Sequence, residues 1–203
     1  LGILTANTTT PYMTSFVDIQ KSGPMVIDIP DGEVRGMLTN IWQIEFAYMD
    51  GAGKYLVHAP GTKAAAVQGY TIVEATTNNF MFGLRLMSPD AAVRDKLLDA
   101  IKAYPYKDRA HPRPTKVLRK GGERLLGITV QPRGLTYFER LADILNREVV
   151  DERDRFFHAM LQPLGIEKGK AFKPTESQKK ILTEAALVGE AMAKANDFYN
   201  PRI

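Results

Sequence analysis

The feature that most constrains this chain is its punctuation. Within the first 87 residues, five runs rich in β-branched and aromatic side chains, at 12–19, 24–29, 54–59, 70–75 and 80–87, are set apart by clusters of Gly and Pro. Between them stand Lys21-Ser22-Gly23-Pro24, Pro30-Asp31-Gly32, Asp50-Gly51-Ala52-Gly53 and Ala59-Pro60-Gly61, where Gly and Pro supply the dihedrals of tight turns. Short strands on this spacing predict an antiparallel sandwich or barrel. In the second run Met25, Ile27 and Ile29 alternate with Val26 and Asp28, which predicts one buried face. Asp28 is then either a solvent-facing strand residue or a site carboxylate.

The period changes further along. Ser88-Pro89-Asp90 has the composition of a helix start, and Val93, Leu97, Leu98 and Ile101 follow at helical spacing, so a helix is predicted near 89–103, ended by Tyr104-Pro105. Residues 108–122 carry Pro112, Pro114 and a Gly pair among basic side chains and read as an exposed excursion, with a strand predicted around 125–130. After Pro132-Arg133-Gly134 the pattern is helical. Phe138, Leu141, Ile144 and Leu145 recur on one face, and Asp151 with Asp154 opens a second helix carrying Phe156, Phe157, Met160 and Leu161, stopped by Pro163-Leu164-Gly165. Thr175 and Gln178 match a capping box ahead of a long helix with Ile181, Leu182, Ala185, Val188, Met192 and Ala193, closed by Asn200-Pro201. The chain therefore reads as α+β, with a β-rich domain over 1–134 and a helical segment over 135–203.

Composition narrows the class of function. With 203 residues, 44% of them hydrophobic, there is material for a packed core, and the absence of Cys excludes disulfides and thiolate metal sites. Apolar stretches break off far short of the ~20 residues that span a bilayer, so no membrane span is predicted. The net charge of +4 is uneven: −3 over 1–75, +7 over 76–135 and zero over 136–203. A nucleic-acid surface would interleave such a basic stretch with stacking aromatics, and only Tyr104 and Tyr106 fall between Arg94 and Arg124. We expect no nucleic-acid partner; the stretch reads as a solvated or subunit-contacting face. The sequence opens on Leu1-Gly2-Ile3-Leu4, without Met and without the pattern of a signal peptide, so the start is expected to be trimmed.

The familiar catalytic motifs are missing. His58, His111 and His158 have no paired ligand spacing, so neither a metal nor any other cofactor is predicted. Gly51-Ala52-Gly53-Lys54 lacks the Walker spacing and the following helix, and a hairpin turn is predicted there instead. No Ser lies in a Gly-x-Ser-x-Gly elbow. The carboxylates near Asp28 and near Asp151 are accounted for by a turn and by helix-start electrostatics. The unusual segment is Thr5-Ala6-Asn7-Thr8-Thr9-Thr10-Pro11-Tyr12, which gathers hydroxyls, an amide and a phenol just ahead of an apolar strand. Such groups orient a polar ligand or satisfy one another in an entrance loop. Asn7, Thr10 and Tyr12, joined by Asn40, by Trp42 (the single Trp) and by His58 at a strand end, are the candidate ligand-binding residues. Core packing for Trp42 and a local backbone bond for His58 are the competing roles.

The same segments, taken in order, resemble the bacterial family called domain of unknown function 1254. The likeness is carried by residues 5–12, Val17-Asp18-Ile19, Gly23-Pro24-Met25-Val26-Ile27-Asp28-Ile29-Pro30-Asp31, Asn40-Ile41-Trp42-Gln43, Gly53-Lys54-Tyr55-Leu56-Val57-His58-Ala59-Pro60-Gly61 and Thr77-Asn78-Asn79-Phe80. It covers about residues 5–105. Arg153-Asp154-Arg155-Phe156-Phe157 and Pro163-Leu164-Gly165-Ile166 resemble the segment that joins this domain to a second one, domain of unknown function 1214. The resemblance implies an antiparallel jelly-roll-like β-sandwich followed by a helical connector, cut short of a second β domain. Where the family commonly has Asp-Thr-Leu-Tyr, this chain has Thr9-Thr10-Pro11-Tyr12, which removes the acid from that loop.

Together these readings lead to a periplasmic or exported module that binds a small polar or carbohydrate-like ligand; a cytoplasmic location fits the composition equally. The rival is a hydrolase or lyase completed by a second domain, with His58 or Asp28 as acid–base group. A third reading makes the chain an assembly element, meeting a second domain of the same protein or a second copy.

Overall fold

Strict alternation along one strand organises the β-rich part. In Asn79–Leu86 the side chains of Phe80, Phe82, Leu84 and Leu86 are buried, while Asn79, Met81, Gly83 and Arg85 face outward. A computed structural model describes residues 10–118 and 131–199, and it divides into two compact units, Leu1–Leu125 and Leu126–Ile203. The strand predicted around 125–130 and candidate residue Asn7 lie outside the described residues.

Among its described residues the first unit holds eight strands in two four-stranded sheets. Sheet A runs in the order β1 (Tyr12–Asp18), β7 (Asn79–Leu86), β3 (Val34–Asn40), β4 (Glu45–Asp50); sheet B runs β6 (Thr71–Glu74), β5 (Gly53–His58), β2 (Met25–Ile29), β8 (Lys102–Pro105). One buried cluster draws on both sheets, including Val17, Ile27, Ile29, Leu38, Val57 and Phe82. Phe46 meets Phe80 edge to face at 6.1 Å, a favourable ring geometry.

Several expectations are corrected here. The strands are not all antiparallel, because β5 and β6 pair in parallel. The turn at Asp50-Gly51-Ala52-Gly53 is not a hairpin: β4 pairs with β3 in sheet A, and β5 pairs with β2 in sheet B, so the chain changes sheets there. Strand β2 buries both faces, since Val26 joins Leu56 and Tyr104 in a second cluster covered by Val67, Tyr70, Ile72 and Tyr106. The helix predicted near 89–103 stops at Ala100, and Tyr104-Pro105 belongs instead to edge strand β8, where a missing N–H costs no ladder bond on the solvent side.

Short helices close the ends of the strands. Asp18 accepts bonds from the amides of Gln20 and Lys21 at the start of α1 (Ile19–Ser22). Asp90, not Ser88, caps α2 (Ala91–Ala100), accepting from Ala92 N at 2.7 Å. On this helix Leu97 is buried, as is Ile101 just beyond it, and Val93 is exposed.

The second unit contains α3 (Leu135–Arg147), α4 (Arg155–Leu161) and α5 (Glu176–Tyr199). Phe138, Ala142 and Leu145 form the buried stripe of α3, and Leu182 is buried on α5. Lys168 Nζ donates to the carbonyls of Leu145, Asn146 and Glu148, satisfying the C-terminal carbonyls of α3 with a positive charge. The expected capping box is present: Thr175 N donates to Gln178 Oε1 at 2.8 Å, and Gln178 N donates to Thr175 Oγ1 at 3.3 Å. On α4 the expected stripe of Phe156, Phe157 and Met160 is exposed. Among the described residues no helix is long and apolar enough to cross a membrane.

Candidate functional site

Because successive side chains of a strand point to opposite faces, the antiparallel register of sheet A lines up its outward residues in rows. The first row crosses the sheet as Tyr12, Arg85, Arg35 and Asp50; the second as Thr14, Gly83, Met37 and Tyr48; the third as Phe16, Met81, Thr39 and Glu45. Neighbouring rows stand about 7 Å apart, two residues of strand rise.

Gly83 shapes this face. Without a side chain at the centre of the second row, a hollow of about 430 Å³ opens between Tyr12, Thr14, Tyr48 and Arg85. It continues past Met37 and Met81 into a second hollow of about 560 Å³, lined also by Phe16, Thr39 and Asn40. At the other end, Arg35, Asp50 and Met87 are shared with a more open depression that reaches Gly32 and Glu33. The outer surface of sheet A is thus a continuous shallow trough.

Its chemistry is mixed. Tyr12, Tyr48 and Phe16 are 54%, 62% and 82% exposed, an unusual concentration of uncovered rings on one sheet face. Arg85 donates from Nε to Thr10 Oγ1 at 2.6 Å and lies 5.8 Å from the centre of the Tyr12 ring. Tyr48 donates its hydroxyl to the Glu45 carboxylate, and that bond, with the charge behind it, raises the phenol above its ordinary range. Thr39 is 5% exposed, and its Oγ1 has no hydrogen-bond partner among the described residues.

Of the residues singled out from sequence, Thr10 and Tyr12 come together around Arg85 on this face. Asn40 lines the second hollow, but its carboxamide is occupied by the β3–β4 turn: Oδ1 accepts from Trp42 N and Ile44 N, both at 3.0 Å, and Nδ2 donates to Thr76 Oγ1 at 3.1 Å. Trp42 sits half-buried on that turn, beside Gln43 at a φ of +62°. His58 lies apart, buried at the end of β5 in sheet B, with Nδ1 2.8 Å from Thr62 Oγ1 and 3.2 Å from Ala59 O. Thr62 gives its own proton to Ala59 O, so the network assigns the imidazole proton to Nδ1. Asp28, opposite Lys54 in the β2–β5 register, lies 3.9 Å from its ammonium group. No group of three or more His, Asp or Glu is placed to hold a metal among the described residues.

Arg35, Thr39, Tyr48, Gly83 and Arg85 were not singled out by sequence. The available signal was the period of two in 79–86, whose outward set of Met81, Gly83 and Arg85 is as regular as its buried set.

Comparison with known proteins gives a fold and a family. No curated protein matches the chain. The crystal structure of the VPA0106 protein from Vibrio parahaemolyticus is similar, with a TM-score of 0.67 and 15% identity over 96% of this chain and 51% of that one. The chain spans about half the length of that protein, and at this identity the likeness is one of fold. The family model described as a protein of unknown function (DUF1254) matches residues 2–111, more than half of the sequence, and the chain belongs to that family.

Proposed function

We propose that the first unit is a ligand-binding module, a jelly-roll-like sandwich whose site is the outer face of sheet A and whose ligand is small, polar and carbohydrate-like. The observation that carries this reading is the hollow over Gly83, flanked by the exposed rings of Tyr12 and Tyr48. Aromatic residues with a polar tip offer a flat apolar surface to the C–H face of a sugar ring and a hydroxyl to its edge. The guanidinium groups of Arg35 and Arg85 and the hydroxyl of Thr14 supply further hydrogen-bonding positions along the trough.

The hydrolase or lyase reading draws less support. His58 is satisfied by its own loop, and Asp28 pairs with Lys54, which stands four residues from His58, about 13 Å along β5. Each of the two candidate acid–base groups is thus already engaged by neighbouring side chains.

The test fills the hollow. A Cβ built on Gly83 meets no atom within 4 Å, so Gly83→Val adds bulk to the trough while leaving the sheet intact. The wild-type protein should bind members of an oligosaccharide panel in calorimetric titrations, and Gly83→Val, with an unchanged unfolding transition, should not. Absence of binding by the wild type, or equal binding by the variant, overturns the reading.

A further inference from the structure

We infer that the ligand of this face carries a carboxylate, held between the guanidinium groups of Arg35 and Arg85; the inference rests on the binding reading above and names the chemical class of its ligand as an acidic, uronate-type saccharide.

Arg35 and Arg85 are direct partners in the antiparallel β3–β7 register, and both face outward. Like charges directly opposite one another disfavour the sheet, so an anion between them removes a cost that the free protein carries. Arg85 is held in place from one side by Thr10 and by the ring of Tyr12, which leaves its terminal nitrogens without a protein acceptor among the described residues. The Arg35 guanidinium has no ion-pair or hydrogen-bond partner there at all, although Asp50 is its register partner on β4. Two cations and one carboxylate leave the row with a net positive charge next to the hollow. Planar guanidinium forks match the two oxygens of a carboxylate, and charge-assisted bonds of this kind are about twice as strong as neutral ones.

A second observation points to a ligand independently. In the third row the hydroxyl of Thr39 is buried, unpaired and set in the wall of the adjoining hollow. Buried hydroxyls are normally bonded, and this one, closed off from solvent in the free protein and one row from the arginines' neighbour Gly83, gains a partner where a hydroxyl of the same saccharide opens that wall. Of the other acids lining the trough, Glu45 is bonded to Tyr48, and Glu33 lies in the open depression at the far end that Arg35 also lines.

The experiment compares galacto-oligosaccharides and oligogalacturonates of matched length by calorimetric titration against the whole chain. The wild type should bind the oligogalacturonate about tenfold or more tighter than the neutral sugar, and the preference should shrink to about threefold or less in Arg35→Gln, whose loss of affinity falls more heavily on the oligogalacturonate than on the neutral sugar. Because Arg85 also positions Thr10, Arg85→Lys serves as its variant: it keeps the charge, loses the fork and should reduce the preference partly. Equal wild-type affinity for the two sugars, or a preference that survives both substitutions, overturns this inference and leaves the binding reading standing. Failure of the wild type to bind either sugar overturns the inference, and retained binding in Gly83→Val overturns the placement of the site on which it depends.

Discussion

Leu84 occupies the space that a side chain on Gly36 would need: a Cβ built there would lie 2.4 Å from Leu84 Cδ2, with Gly83 O at 3.1 Å and Met49 Cε at 3.2 Å. The two residues are register partners on β3 and β7, and both point into the core. Gly36→Ala should therefore lower stability by about 1–2 kcal/mol, the usual cost of overpacking less the gain from removing a flexible glycine. Gly83→Ala, one position along on the outward face, should be neutral or stabilising by up to about 1 kcal/mol. Urea unfolding of both variants decides the matter; a Gly36→Ala protein as stable as wild type would contradict the packing.

Thr39 offers a sharper test of the trough. Its unpaired hydroxyl destabilises the unliganded protein, so Thr39→Val, which keeps the shape and removes the polar atom, should raise stability by about 1 kcal/mol. The same change should weaken binding of neutral and acidic saccharides by a similar factor, because the hydroxyl does not touch the charged end. Higher stability together with unchanged affinity would confine Thr39 to a structural role.

Asn40 should behave in the opposite way. Its side chain receives two turn amides and donates to Thr76, so Asn40→Ala leaves half-buried N–H groups unpaired and should cost about 1–3 kcal/mol in thermal or urea unfolding. Asn40→Asp keeps both acceptor bonds and should cost less. Affinity measured below the transition should change little in either variant, and a selective loss of affinity with full stability would return Asn40 to the ligand.

Much of the fold was legible because local chemistry and tertiary role agreed. The capping box of Thr175 and Gln178 is formed by residues three apart and needs nothing distant. The run at 80–87 alternates so regularly that its strand could be read at once. Strands β3 and β4 were not read: Val34–Asn40 includes Arg35, Gly36 and Asn40, and Glu45–Asp50 has an acid at each end, so neither looks β-rich in isolation. β3 is held by its register with β7, which no local window contains, and β4 by its register with β3. The site was hidden for the same reason. Tyr12, Arg35, Tyr48 and Gly83 lie on four different strands and become neighbours only through pairing. Asn40, in contrast, stood out as a polar neighbour of Trp42 and His58 as a polar residue at a strand end; both lie at strand ends, where such groups are most often used to fasten turns.

The second unit contains an acid-sensitive clasp. Glu190 on α5 accepts bonds from Lys194 Nζ at 2.5 Å and from Arg133 Nε, ahead of α3, at 2.8 Å. Lys194 first and Arg133 second hold its carboxyl below the ordinary glutamate value of 4.5. A carboxylate depressed in the folded state contributes stability above its unfolded value and loses it as pH falls through the folded one. The helical unit should therefore weaken as pH drops below 4.5, and Glu190→Gln should remove part of that decline while lowering stability near neutrality. Asp154, depressed by its bond from Arg153, supplies a residual acid dependence in the variant. The two units are followed separately in one urea titration, because the single Trp, Trp42, reports on the first, while the longest helices, α3 and α5, dominate the far-ultraviolet helix signal. An acid decline of the helix signal as steep in Glu190→Gln as in wild type, or a decline confined to Trp42 fluorescence, would show that the clasp does not fasten α5 to the segment before α3.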